Sequence, residues 1–147
     1  MKTVVFASVH DAARCKMAAA FFNAFTKPSL VRAISGGVRP LLWVAPEVVQ
    51  VMQEVGLDVS ARPQVLPQPA LDPAALIVSF TGAEGWSSLP GVRREVWDVP
   101  DPRNQPVQRV REIRDRLREQ VWRLVAREGW YKLQPVHFLR SEQAQHT

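Results

Sequence analysis

Apolar positions fall into two rhythms along this chain of 147 residues. The run Thr3-Val4-Val5-Phe6-Ala7-Ser8 is short and continuous, the mark of a parallel strand buried on both faces. After the loop Val9 to Ala13 the rhythm turns helical. Met17, Phe21, Ala24 and Phe25 share one face of a helix from about Ala12 to Phe25, with Pro28 just past its end. Leu30 to Ile34 reads as a second strand stopped by Gly36-Gly37. Pro46 opens a second helix whose Ala45, Val48, Val49, Met52 and Val55 turn to a core, and Gly56 ends it. Residues 60–73 carry Pro63, Pro67, Pro69 and Pro73 and read as irregular. Ala75–Phe80 and Glu95–Val99 read as the third and fourth strands. Val110, Ile113, Leu117, Val121 and Leu124 then recur at helical spacing and predict a long helix over Val107 to Glu128.

Strands alternating with helices predict an α/β fold, a parallel sheet with helices on both faces and right-handed crossovers. Ligands of such sheets bind outside the carboxyl ends of the strands. The first strand-to-helix turn, Ser8 to Cys15, is therefore where chemistry is expected. Residues 1–128 read as one domain, and 129–147 as a C-terminal extension that is semi-apolar from Trp130 to Leu139 and polar beyond.

Composition adds exclusions. A hydrophobic content of 46% with 22% charge suits one globular domain. A single cysteine excludes an intramolecular disulfide, a Cys-rich zinc site and a two-cysteine redox cycle. Three dispersed histidines give no metal-ligand spacing, so neither metal nor cofactor is expected. No run reaches the length of a membrane span, and Thr3–Ala7 is too brief for a signal peptide, so a soluble, cytoplasmic protein without a membrane partner is expected. The net charge of +5 comes mostly from arginine. Many of these arginines lie on the last helix with acidic neighbours one turn away, Asp115 beside Arg111 and Arg118, Glu119 beside Arg116 and Arg123. That is a solvated helix face, and without interleaved aromatics nucleic acid is not an expected partner.

The Ser8–Cys15 turn presents backbone N–H groups and the positive end of a helix dipole to one point, which makes an anion site. Arg14, in the first helical turn, can add a planar fork for an oxyanion. The segment Val4-Val5-Phe6-Ala7-Ser8-Val9-His10-Asp11-Ala12-Ala13-Arg14-Cys15-Lys16-Met17-Ala18 resembles the signature loop, Cys-x5-Arg-Ser, of low-molecular-weight protein tyrosine phosphatases and thioredoxin-coupled arsenate reductases. Ile34-Ser35-Gly36-Gly37 resembles the family's Ser-Ala-Gly-Thr segment, and Val51-Met52-Gln53-Glu54-Val55-Gly56-Leu57-Asp58-Val59-Ser60 its Val-Met-x-Glu-x-Gly-Ile-Asp-Ile-Ser. Val96-Trp97-Asp98-Val99-Pro100-Asp101-Pro102 is similar to the segment that holds the phosphatases' general acid. The resemblance runs from about Thr3 to Ala126, with the arsenate reductase branch nearer. It implies a single-domain three-layer sandwich of phosphatase-I type, with a four-stranded parallel sheet of order 2-1-3-4. It further implies an oxyanion cradle at Ser8, Val9, His10, Asp11, Ala12, Ala13, Arg14 and Cys15, with Asp101 in the general-acid position.

The departures bear most on function. The nucleophilic cysteine of the family falls on Ser8, whose hydroxyl the same field cannot ionise. Asp11 stands where asparagine is usual. The stretch Ser79 to Pro90 holds no resolving cysteine, so a disulfide relay and thioredoxin coupling are not expected. Cys15 takes the place of the serine that hydrogen-bonds the nucleophile; the electropositive setting could lower its pKa, but the favoured reading is a half-buried thiol pointing away from the oxyanion. His10 is a candidate base for Ser8, though it is expected to point outward. Changes at several independent positions read as natural degeneration. The expected function is binding of arsenate, arsenite or phosphate without turnover. The alternatives are arsenate reduction through Cys15 with an external thiol such as glutathione or mycothiol, and a regulatory or binding module. Trp97 matches a family tryptophan, Trp122 reads as packing, and Trp86 is a candidate cap over the pocket. Arg39 and Arg62 flank the site-side loops, where they would either attract anions or sit as solvated surface.

Overall fold

The computed structural model describes residues 2–66, 74–80 and 92–132. Strand β1 (Lys2–Ser8) leads through a loop to helix α1 (Arg14–Phe25); β2 (Val31–Gly37), α2 (Pro46–Gln53), β3 (Leu76–Phe80), β4 (Arg94–Trp97) and α3 (Val107–Glu128) follow. The four strands form one parallel sheet in the order β2-β1-β3-β4. β1 sits inside it, paired on both sides, which is why its run carries no polar alternation.

Both faces of β1 are buried. Val4 and Phe6 join one large apolar cluster with Met17, Phe21 and Phe22 of α1, Val48, Val51 and Met52 of α2, and Ile113, Leu117, Val121 and Leu124 of α3. Val5, Ala7 and Ile77 face the other way, against Ile34, Leu66, Ala74 and Val92. Each phenylalanine fully withdrawn from water stabilises the fold by roughly 1.5–3 kcal/mol, and Phe6, Phe21, Phe22 and Phe80 are all in that state. Phe6 also meets Trp97 edge-on at 5.7 Å, tying the inner strand to β4.

Several boundaries differ from the sequence reading. β2 begins at Val31 because Leu30 lies in an exposed turn, and it runs on through Gly36 and Gly37, which pair with Ala7 and Ser8. Those glycines extend the sheet; they do not stop it. α1 starts at Arg14, since the left-handed backbone of Asp11 (φ 48°) keeps the preceding residues out of the helix. β4 occupies Arg94–Trp97, and Val99 leaves the sheet to pack in the core.

The last helix is not charged all round its outer face. Arg114 is buried, its Nη1 donating to the Val51 carbonyl at the end of α2 and to Glu54 at 2.9 Å. A cation there meets the negative end of the α2 dipole and a carbonyl with no helical partner. The pairs Asp115–Arg118 and Glu119–Arg123 form as the spacing predicts, whereas Arg111 reaches Glu54 and Arg116 donates to the Asp98 carbonyl. α3 ends at Gly129 in the left-handed region (φ 73°), and Trp130 folds back into the core against Phe22. Trp122 packs edge-on against Phe25, as its place on the helix suggested. Among the described residues no helix is long and apolar enough to cross a membrane.

Candidate functional site

The carboxyl ends of β1 and β4 converge on one open pocket of about 130 Å³, lined by Ser8, Val9, His10, Ala12, Ala13, Arg14, Asp101 and Arg103. The loop that forms its floor is held from outside by backbone. Val38, Arg39 and Leu41 donate their N–H groups to the carbonyls of Ser8, Val9 and His10. Peptide planarity places the N–H groups of Val9, His10 and Asp11 on the opposite edges of those units.

Gly37 makes this close approach possible. A Cβ there would lie 2.6 Å from the Val9 carbonyl oxygen, 2.8 Å from the Asp11 nitrogen and 3.0 Å from the His10 carbonyl carbon. All three neighbours are backbone, so nothing flexible could yield.

Behind the loop lies a buried hydrogen-bond chain. The Cys15 thiol donates to Asp11 Oδ1 at 3.2 Å, because a carboxylate only accepts. Cys15 has one proton, so the 3.0 Å contact with Ser8 is made by the Ser8 hydroxyl donating to Cys15 Sγ. Ser8 Oγ in turn accepts the Asp11 N–H at 2.9 Å. Asp11 is completely buried; its Oδ2 accepts the Gln64 N–H at 2.8 Å and lies 3.9 Å from Lys16 Nζ. The side chain thus clamps the loop to the segment after α2, a role its left-handed backbone permits.

This arrangement defines the surroundings of two residues, and of the two readings of Cys15 it agrees with the thiol turned away from the oxyanion. Cys15 is not in an electropositive setting. It is 1% exposed, burial pushes its thiol well up, and the Asp11 charge pushes it further than the Ser8 hydrogen bond pulls it back. The side chains of Cys15 and Asp11 both stand behind the wall of the pocket, not in it. With the folded protein, Ellman's reagent is expected to titrate essentially no thiol over minutes, and one per chain after denaturation; rapid native labelling would contradict this burial.

His10 faces the pocket mouth and is not a partner of Ser8. Its Nδ1 meets the Arg39 carbonyl at 3.1 Å, which fixes the ring proton on that nitrogen. Arg14 donates Nη1 to the Val99 carbonyl at 2.9 Å, and its guanidinium carbon lies 5.3 Å from the centre of the Phe80 ring. Hydrogen bond and ring together fix the guanidinium at the pocket wall.

Across the pocket, Asp101 is gripped by a residue that sequence reasoning missed. Arg103 donates its backbone N–H to Oδ1, its Nε to both oxygens and its Nη2 to Oδ2, at 2.9–3.3 Å. Half-burial alone would raise the Asp101 pKa. The Arg103 hydrogen bonds and charge, helped by Arg14, outweigh it and hold the carboxyl below its ordinary value. The only sequence signal for this clamp was an arginine two residues after the aspartate. Arg39 and Arg62 are exposed, Arg62 lining a separate shallow cleft with Leu42, Trp43 and Ser60. The proposed Trp86 cap and the stretch 81–90 lie outside the described residues. No cluster of three potential metal ligands occurs among those described.

Known proteins share this architecture. The family model described as "Low molecular weight phosphotyrosine protein phosphatase" matches residues 3–132. A relative from Halobacterium salinarum, named as a candidate arsenate reductase, is 30% identical over 79% of this chain and 85% of its own. The arsenate reductase of Archaeoglobus fulgidus superposes with a TM-score of 0.74 at 29% identity, covering 84% of this chain and 98% of that one. An arsenate reductase solved in its phosphate binding state gives 0.70 at 25% identity, over 86% and 98% of the two chains.

Proposed function

The chain belongs to the low molecular weight phosphotyrosine protein phosphatase family, and from that premise we propose that it binds a small oxyanion, phosphate, arsenate or arsenite, in the Ser8–Cys15 loop without turning it over. What carries the reading is the hydrogen-bond chain at the loop. The residue in the nucleophile position is a serine whose proton is directed inward to Cys15 Sγ. Among the described residues no base adjoins it, and the one thiol of the chain is buried and held protonated by its surroundings. Attack on phosphorus or arsenic is fast from an ionised group aimed into the pocket and slow from a neutral hydroxyl without a base, and neither residue is such an ionised group.

The binding half of the reading rests on what remains. Peptide planarity turns the Val9 and His10 N–H groups away from the carbonyls that β2 and its following loop engage, α1 begins at Arg14 beside them, and Arg14 adds a fixed cation. That a related arsenate reductase is known in a phosphate binding state supports the same use of this pocket. The branch that uses Cys15 with an external thiol fares worse, because a mixed disulfide needs a thiolate that a partner can reach.

The test pairs calorimetric titration of phosphate and arsenate with assays of thiol-coupled arsenate reduction and aryl phosphate hydrolysis. Saturable binding is expected with both rates at background. Arg14→Ala is expected to weaken binding about tenfold to a hundredfold, the worth of hydrogen bonds to a charged group. Turnover by the pure wild-type protein would sink the proposal.

A further inference from the structure

We propose that Asp101 serves this pocket as a fixed hydrogen-bond acceptor that selects oxyanions still carrying a hydroxyl, phosphate and arsenate, and rejects fully ionised ones such as sulfate and selenate. The inference rests on the oxyanion-binding reading and adds to it a rule for which oxyanions enter.

The geometry supplies three elements. Asp101 lines the same pocket as Arg14 and the loop, so a ligand seated on the loop faces a carboxylate as well as a cation. That carboxylate is immobilised by the Arg103 fork and backbone N–H, and so cannot swing away when an anion arrives. Its acceptor capacity is not exhausted: a carboxylate offers about four lone-pair sites, and Arg103 brings only three donors, N, Nε and Nη2. Three donor hydrogens thus share about four sites, and the carboxyl, which lines the pocket, is still one-third exposed.

An ionised carboxylate can only accept, so whatever meets it must donate. Phosphate and arsenate keep at least one O–H near neutral pH and can present it there while their other oxygens take the loop N–H groups and Arg14. Sulfate and selenate match them in shape but carry no proton. Against Asp101 they would set oxygen against oxygen, with like charges and no hydrogen bond. The low pKa of Asp101 agrees with this role, since a protonated carboxyl would donate to sulfate instead of repelling it. A residue inherited in the position of an acid would thus act here as a selective base.

The probes are the isosteric pairs phosphate and sulfate, arsenate and selenate, titrated calorimetrically into the wild-type protein at pH 6.5 in one buffer. Wild type is expected to prefer the hydroxyl-bearing member of each pair by about tenfold to a hundredfold. Asp101→Asn, whose amide can also donate, is expected to bring each pair within about threefold, mainly by gaining sulfate and selenate. Equal binding within each pair by wild type overturns the selection rule and leaves the oxyanion reading standing. Binding of none of the four overturns both. Unchanged selectivity in Asp101→Asn, with thermal unfolding like wild type, moves the rule away from Asp101. The wild-type ratios decide the rule even if the variant folds poorly.

Discussion

Ser8→Cys is expected to raise hydrolysis of p-nitrophenyl phosphate at least about a hundredfold above the wild-type background, with thiol-coupled arsenate reduction still at background. The introduced thiol would occupy the position that now accepts the Asp11 N–H, at the first residue of the loop and in the lining of the pocket. That N–H, the α1 terminus and Arg14 all favour its ionised form. The gain should stay well short of the roughly 10⁶ that a nucleophile is worth with all its partners in place. Two features limit it. The buried Asp11 carboxylate lies close behind the loop and opposes a second negative charge. Asp101, held ionised by Arg103, is a poor proton donor to a leaving group. The double variant Ser8→Cys/Asp11→Asn should therefore be faster than the single one. Initial rates of the pure variants decide the matter. If both bind phosphate and neither hydrolyses, the missing thiolate is not what silences the site. Arsenate reduction stays absent in either case, because the stretch after β3 offers no second thiol.

Gly37→Ala is expected to destabilise the protein by about 3 kcal/mol, the upper end for inserting a methyl group into packed surroundings, and to lower phosphate affinity more than tenfold. Overpacking is usually relieved when a side chain shifts rotamer. Here the methyl would strike the Val9 carbonyl oxygen, the Asp11 nitrogen and the His10 carbonyl carbon, so relief requires moving the loop itself. The same peptide units carry the N–H groups proposed to hold the anion, and stability and binding should fall together. Thermal unfolding and phosphate calorimetry on the one variant measure both. A variant with wild-type melting temperature and affinity would show that β2 can draw back from the loop, contrary to its continuous pairing with β1.

The elements easiest to read from sequence were those whose burial leaves a local trace. β1 and β3 appear as unbroken apolar runs, and α3 as a stripe at helical spacing, so the parallel sheet and the place of the site followed. Arg14 and Asp101 were legible because the loop signature and the Trp97-to-Asp101 segment mark them. What escaped depends on contacts between distant parts of the chain. Arg114 looked like one more surface arginine; only the end of α2, some sixty residues earlier, makes it a buried cap. Gly36-Gly37 looked like a terminator, whereas the loop after β1 leaves no room for a side chain at Gly37, and Leu66 closes on Gly36. The nearby helix N-terminus left an activated Cys15 open as the alternative, and only the fold shows its sulfur turned inward to Asp11. The Arg103 grip on Asp101 is local in sequence, yet a two-residue spacing carries no signal without the turn that brings the side chains together.

The outer hydrogen bonds of the loop run from main chain to main chain, from residues 38, 39 and 41 to the carbonyls of residues 8, 9 and 10. Such a frame makes no use of the side chains at residues 8, 9 and 10, provided that residue 37 has none. A lineage can exchange the attacking atom without disturbing the frame, and natural selection for a stable fold would not register the exchange. Reactivity in this architecture is therefore separable from the frame: the main-chain bonds that would orient a thiol at residue 8 are the same whichever atom that residue carries.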